Sequence, residues 1–121
     1  MSTRHVNIKG LAELEAKLKK LPSLVETAGA RAVKGETSDT ANDMRRAAPV
    51  LSGDLRAGIQ EEYDAKTHTG RAVSTADHTQ YVVHGTSDTP ANDFITPAAE
   101  RARRRFPDRV RAEIKRELGK L

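Results

Sequence analysis

The stretch Ala48-Pro49-Val50-Leu51-Ser52-Gly53-Asp54-Leu55-Arg56-Ala57-Gly58-Ile59 decides the fold, because here a helical chain stops and turns. Pro49 ends the helix before it, since the residue preceding a proline is biased away from helical geometry. Ser52-Gly53-Asp54 is a turn signature: Ser and Asp bond their own backbone, and Gly adopts positive φ. Gly53 therefore supplies a tight reversal from helix into strand. Leu55 and Ile59 can start a core-facing row, with the strand running on through Tyr63.

Upstream, Leu11, Leu14, Leu18 and Leu21 recur at spacings of three and four, an amphipathic helical pattern. Pro22 interrupts it and suits the first position of a new helix. From there to about Ala47 the chain is rich in Ala and charge, with Leu24, Val25, Ala28, Ala32 and Met44 able to face inward. Gly29 and Gly35 each cost a helix interior about 1 kcal/mol relative to Ala, so they mark close packing or a break. Val6-Asn7-Ile8 alternates and reads as a short strand or extended arm.

Downstream, Thr67-His68-Thr69-Gly70 reads as a hairpin turn and Arg71–Thr75 as its return strand. Tyr81-Val82-Val83 is a third β-prone run, with Gly85 letting the chain leave it sharply. Residues 85–93 are loop by composition. From about Ile95 to Leu118, Ala98, Ala102, Phe106, Val110, Ile114 and Leu118 recur every four residues. Such a stripe drifts by about 40° per step round a straight helix. Pro107 sits mid-stripe, so a bent or broken terminal helix is expected. The fold class is α+β: a long N-terminal helix and a C-terminal helix packed on a small antiparallel sheet with a β-hairpin, residues 1–121 forming one domain.

Composition removes several functions. The chain lacks Cys and Trp, which excludes disulfide frameworks, thiolate nucleophiles and cysteine zinc sites. Its core must come from Leu, Val, Ile and Ala. Met1-Ser-Thr-Arg-His5 leads into no apolar stretch, so no secretory signal is expected and synthesis as a soluble intracellular chain is. No run approaches the roughly 18 apolar residues of a membrane span. His68, His78 and His84, with Asp77 nearby, do not have metal-motif spacing. No serine sits beside an evident base, and no glycine-rich phosphate loop is present. Glu61, Glu62 and Asp64 alternate across a strand and read as solvated charges. Neither an active site nor a cofactor site is expected.

Residues 101–121 hold nine Lys/Arg against three Asp/Glu, whereas the rest of the chain is slightly acidic. A basic helix attracts nucleic acid electrostatically. Phe106 is the one aromatic there and lies on the apolar stripe, so base stacking is not expected.

Four segments, in order, resemble one family. They are Ile8-Lys9-Gly10-Leu11-Ala12-Glu13-Leu14, then Ala48–Ile59, then Tyr81-Val82-Val83-His84-Gly85-Thr86, then Pro90-Ala91-Asn92-Asp93-Phe94-Ile95-Thr96-Pro97-Ala98-Ala99-Glu100. Together they are similar to the tailed-bacteriophage tail-component group, the tail completion, neck or head-to-tail joining proteins. His84 stands where that group often has Glu, and Asp93 where it often has Pro. The resemblance implies a structural virion protein at the neck or top of the tail, assembled in the host cytoplasm and not an enzyme. It implies a hexameric ring that completes the tail and meets a head-closure connector, a tail terminator or the tail tube. Long loops carry contacts in such rings. His84, Gly85, Thr86, Asp88, Pro90 and Asp93, with Arg103, Arg104 and Arg105 of the basic helix, are the expected interface. Pro49, Gly53, Leu55, Ile59, Tyr81, Phe94 and Pro97 are the structural motif. Phe94 would anchor the loop, and Pro97 suits the first turn of the last helix. A lumen-facing basic helix would make at most weak, non-specific contact with the genome. The rival reading is a small basic DNA-binding or regulatory protein.

Overall fold

A computed structural model describes residues 10–49, 53–87 and 90–121. The expectation at Val6-Asn7-Ile8, the turn residues Val50–Ser52 and the candidate Asp88 lie outside the described residues. Helix α1 spans Leu11–Ala47 without interruption, a length of about 55 Å. Pro22 and Gly35 both lie inside it. No new helix starts at Pro22, contrary to the sequence reading. The carbonyl that loses its donor belongs to Leu18, in the solvent-exposed first turns, where water can take the bond. The helix ends as expected before Pro49: Ala48 is extended (ψ 131°) while its N–H still reaches the Met44 carbonyl at 2.8 Å.

Gly53 reverses the chain at φ 86°, but it opens a single helical turn, α2 (Asp54–Ala57), before any strand begins. Leu55 therefore projects from a helix into the core, at 2% exposure. Strand β1 (Ile59–Asp64) pairs antiparallel with β2 (Thr69–Ser74), from Ile59 opposite Ser74 to Asp64 opposite Thr69. The hairpin turn is Ala65–His68, two residues earlier than the sequence suggested. Asp64 Oδ1 accepts the Lys66 N–H at 2.9 Å, a local bond that fixes the turn. His68 takes a φ of 52°.

The third β-prone run is helical. Helix α3 covers Thr79–His84, so the sheet keeps two strands. β propensity reflects packing on a pleated surface more than an intrinsic backbone preference. Here Val82 and Val83 pack as helical side chains against the core. The Thr79 hydroxyl, 2.7 Å from both the Ala76 carbonyl and the Ser74 hydroxyl, ties the start of α3 to the end of β2. Gly85, at φ 79°, releases the chain from a helix rather than a strand.

Helix α4 spans Thr96–Leu118, with Pro97 in its first turn. It runs unbroken through Pro107. It packs chiefly on α1, which also carries the hairpin. Leu24, Ala28 and Ala32 are buried along α1, as their spacing predicts, and the main core cluster is Ala41, Met44, Ala48, Leu55, Ile59, Phe94 and Ala98. It gathers at the end of the molecule where α1 ends and α4 begins. No helix among the described residues is long and apolar enough to cross a membrane.

Candidate assembly surface

Two complementary ladders join α1 to α4. Glu36, Asp39 and Asp43 recur at spacings of three and four on α1, while Arg101, Arg105 and Arg109 recur every four on α4. Both spacings place the side chains on one helix face. Glu36 is 6% exposed and is the one buried charged residue of the described chain. Its Oε1 accepts from Arg105 Nε at 3.1 Å and Nη2 at 2.8 Å, and its Oε2 from Arg109 Nε at 2.9 Å. Arg105 Nη2 also donates to Asp43 at 2.9 Å, Arg101 Nε approaches the same oxygen at 3.4 Å, and Arg109 pairs with Asp39. Burial works against the Arg105 charge, but its hydrogen bonds to Glu36 and Asp43 outweigh it and raise its pKa. A buried carboxylate is tolerated because it is multiply bonded to cations.

The ladder changes the meaning of the basic C-terminal segment. Arg101, Arg105 and Arg109 are engaged within the chain, whereas Arg103 and Arg104 remain exposed. The sequence reading missed this site, although its signal was present in the matching spacings of opposite charge on two helices.

The hairpin face toward α1 is equally specific. Ser38 donates to Glu61 at 2.8 Å, Arg45 donates to the Ile59 carbonyl at 2.9 Å, and Lys34 lies 4.8 Å from the Tyr63 ring centroid. Glu61 is thus a bonded side chain rather than a merely solvated one. Gly70, opposite Tyr63, lets β2 approach α1: an added Cβ there would fall against the Thr37 hydroxyl and 2.9 Å from Val33 Cγ1.

The loop candidates divide. His84 and Pro90 are exposed, Gly85 is half-buried and Thr86 is exposed. Asp93 starts α4: its Oδ1 accepts the N–H groups of Ile95 and Thr96, both at 2.9 Å. Hydrogen bonds from the Thr96 side chain and then its N–H hold the Asp93 carboxyl below its ordinary value. This bonding occupies the position where a proline would serve in the family pattern. Phe94 beside it is 1% exposed, and the Asn92 N–H bonds the Val82 carbonyl at 2.8 Å, tying the loop to α3. Tyr81, by contrast, is 56% exposed.

Among the described residues, an exposed apolar row lies at the other end. All residues from Leu11 to Lys20 are exposed, with Leu11 at 63%, Leu14 at 52% and Leu18 at 51%. The Arg–carboxylate pairs set α4 antiparallel to α1, and the first turns of α1, Leu11–Lys20, extend beyond the part of the helix that is covered, where Leu24 is the first buried residue. The stripe continues through Val25, 51% exposed, into a trough between α1, the hairpin tip and α4. Phe106, at 36% exposure, stands in that trough, whereas Ala98 of the same four-residue stripe is fully buried. The drifting stripe thus leaves the core along α4. Among the described residues no three His, Asp or Glu side chains gather as a metal site.

The described residues define an α+β chain with a helical arm that carries an exposed leucine row. Residues 12–85 match the family described as "Bacteriophage HK97-gp10, putative tail-component", and the chain belongs to that family. No curated protein and no solved structure matches the chain.

Proposed function

We propose that this chain is a structural virion protein that forms a hexameric ring at the neck or top of the tail, completing the tail and joining it to the head connector. The observation that carries the reading is the leucine arm. Exposed leucines at heptad-like spacing on a helix that outruns its own partner helix favour contact with another surface. Membership of a phage tail-component family supports an assembly as the source of that surface. The small core supports it too, since a partner that binds only the folded chain stabilises it. The ladder weakens the rival DNA-binding reading, because three cations of the basic helix already face carboxylates inside the chain. Quantitative mass spectrometry of gradient-purified particles tests the proposal. The expected result is the chain at a copy number matching one hexameric ring per particle. Its absence from particles, with the protein left in the lysate, would sink the reading.

A further inference from the structure

We infer that the arm of one copy, Leu11–Leu21, docks in the trough of a second copy, so that neighbouring subunits join head to tail. This deepens the ring reading above and rests on it for the closed assembly, though not for the contact itself.

The trough is two grooves that share Val33, His68 and Phe106. Its apolar lining includes Val25, Ala30, Val33, Ala72, Ala102 and Phe106. It follows α1 from Val25 to Thr40, about 22 Å, whereas the arm is about 15 Å long. The arm therefore fits lengthwise, with its leucines against an apolar floor. It cannot fill the trough of its own chain, because α1 is one uninterrupted helix and carries both. The occupant must come from another molecule.

Charge sets the direction. The arm is acidic first, at Glu13 and Glu15, and basic after, at Lys17, Lys19 and Lys20. Glu26 lines one end of the trough, and Arg103, exposed on α4 three residues before Phe106, lies toward the other end because α4 runs antiparallel to α1. An arm laid antiparallel to the α1 beneath it brings its glutamates toward Arg103 and its lysines toward Glu26. The reverse direction sets like charges together at both ends. Because the arm and the trough are different surfaces, the contact is heterologous, the type that closes into a ring when the rotation per subunit allows.

The chain has no cysteine, so introduced thiols can be linked without interference. Leu18→Cys and Ala30→Cys copies are purified separately, checked for native circular dichroism, mixed and treated with a bis-maleimide of about 10 Å reach, the spacing of packed helices. Covalent dimers from the mixture, at least tenfold more abundant than from either copy alone, are expected. Dimers from Leu18→Cys alone would show arm pairing with arm and overturn the proposal. So would a mixture that stays monomeric. A closed ring on particles without Leu18–Ala30 links would sink the docking alone. Such links without a ring would sink the ring alone.

Discussion

Arg109 lays its guanidinium against the Cα of Gly35: a Cβ built at Gly35 would lie 2.6 Å from Arg109 Nη1. Of the two readings of this glycine, close packing or a break in α1, the structure shows close packing, against an arginine of the ladder. Replacing Gly by Ala in a helix interior ordinarily gains about 1 kcal/mol. Here the methyl group must push aside a flexible side-chain end that Glu36 and Asp39 hold. Gly35→Ala is predicted to be near neutral in the native chain but to stabilise by about 1 kcal/mol in an Arg109→Ala background. A double-mutant cycle by urea unfolding measures this. Equal gains in both backgrounds would show that the two residues do not interact.

Glu36 is the second point of leverage. Glu36→Ala leaves Arg105 and Arg109 without their shared acceptor and is predicted to destabilise by about 2 kcal/mol, below the usual range for a broken buried pair because both arginines retain solvent access. Glu36→Gln keeps one acceptor oxygen and should lose less. Chemical denaturation of the two variants checks the order, and a harmless Glu36→Ala would mean that the ladder does not hold α4.

Gly70 gives a steric prediction. A side chain here meets Thr37 and Val33 on α1 and cannot be relieved by one flexible end, because Thr37 Cβ also lies at 3.1 Å. Gly70→Ala is predicted to destabilise by about 1–3 kcal/mol despite the poor fit of glycine to strands. A lower Tm supports this close approach, and a raised Tm would refute it.

Much of the fold was legible because local chemistry and tertiary context agreed. Pro49 stops α1, Pro97 sits in the first turn of α4, and Ile59 to Asp64 form a strand. Disagreement came where context overruled propensity. Val82 and Val83 had no third strand to make and pack as a helix against the core. Pro22 sits in a helix because its neighbourhood is open to water. Gly70 read as turn chemistry, but its value lies in contact with a helix 33 residues away in sequence at Thr37, which local pattern does not reveal. The acidic and basic ladders were written in the spacings of both helices. Recognising them requires knowing that these helices are neighbours.

Acid should weaken the fold through two carboxylates. Asp93, bonded by Thr96, and Asp64, bonded first by the Lys66 N–H, both sit below the ordinary value of 3.8 when folded. As pH falls the unfolded chain takes up these protons first, so their stabilisation is present above about 3.8 and is lost as pH drops through the folded values. Tm measured from about pH 6 to about pH 2.5 should fall along this limb. Asp93→Asn, which keeps an acceptor at the start of α4, should flatten it, and an unchanged acid limb in that variant would count against the role given to Asp93.

Exposed leucines on an overhanging helix, together with membership of a phage tail-component family, make assembly the central claim. Electron-microscopic reconstruction of the neck of purified particles tests it most directly. The account predicts a closed ring of copies between head and tail tube, each arm lying on its neighbour. Particles with a fully built neck that contains no density for this chain would contradict it.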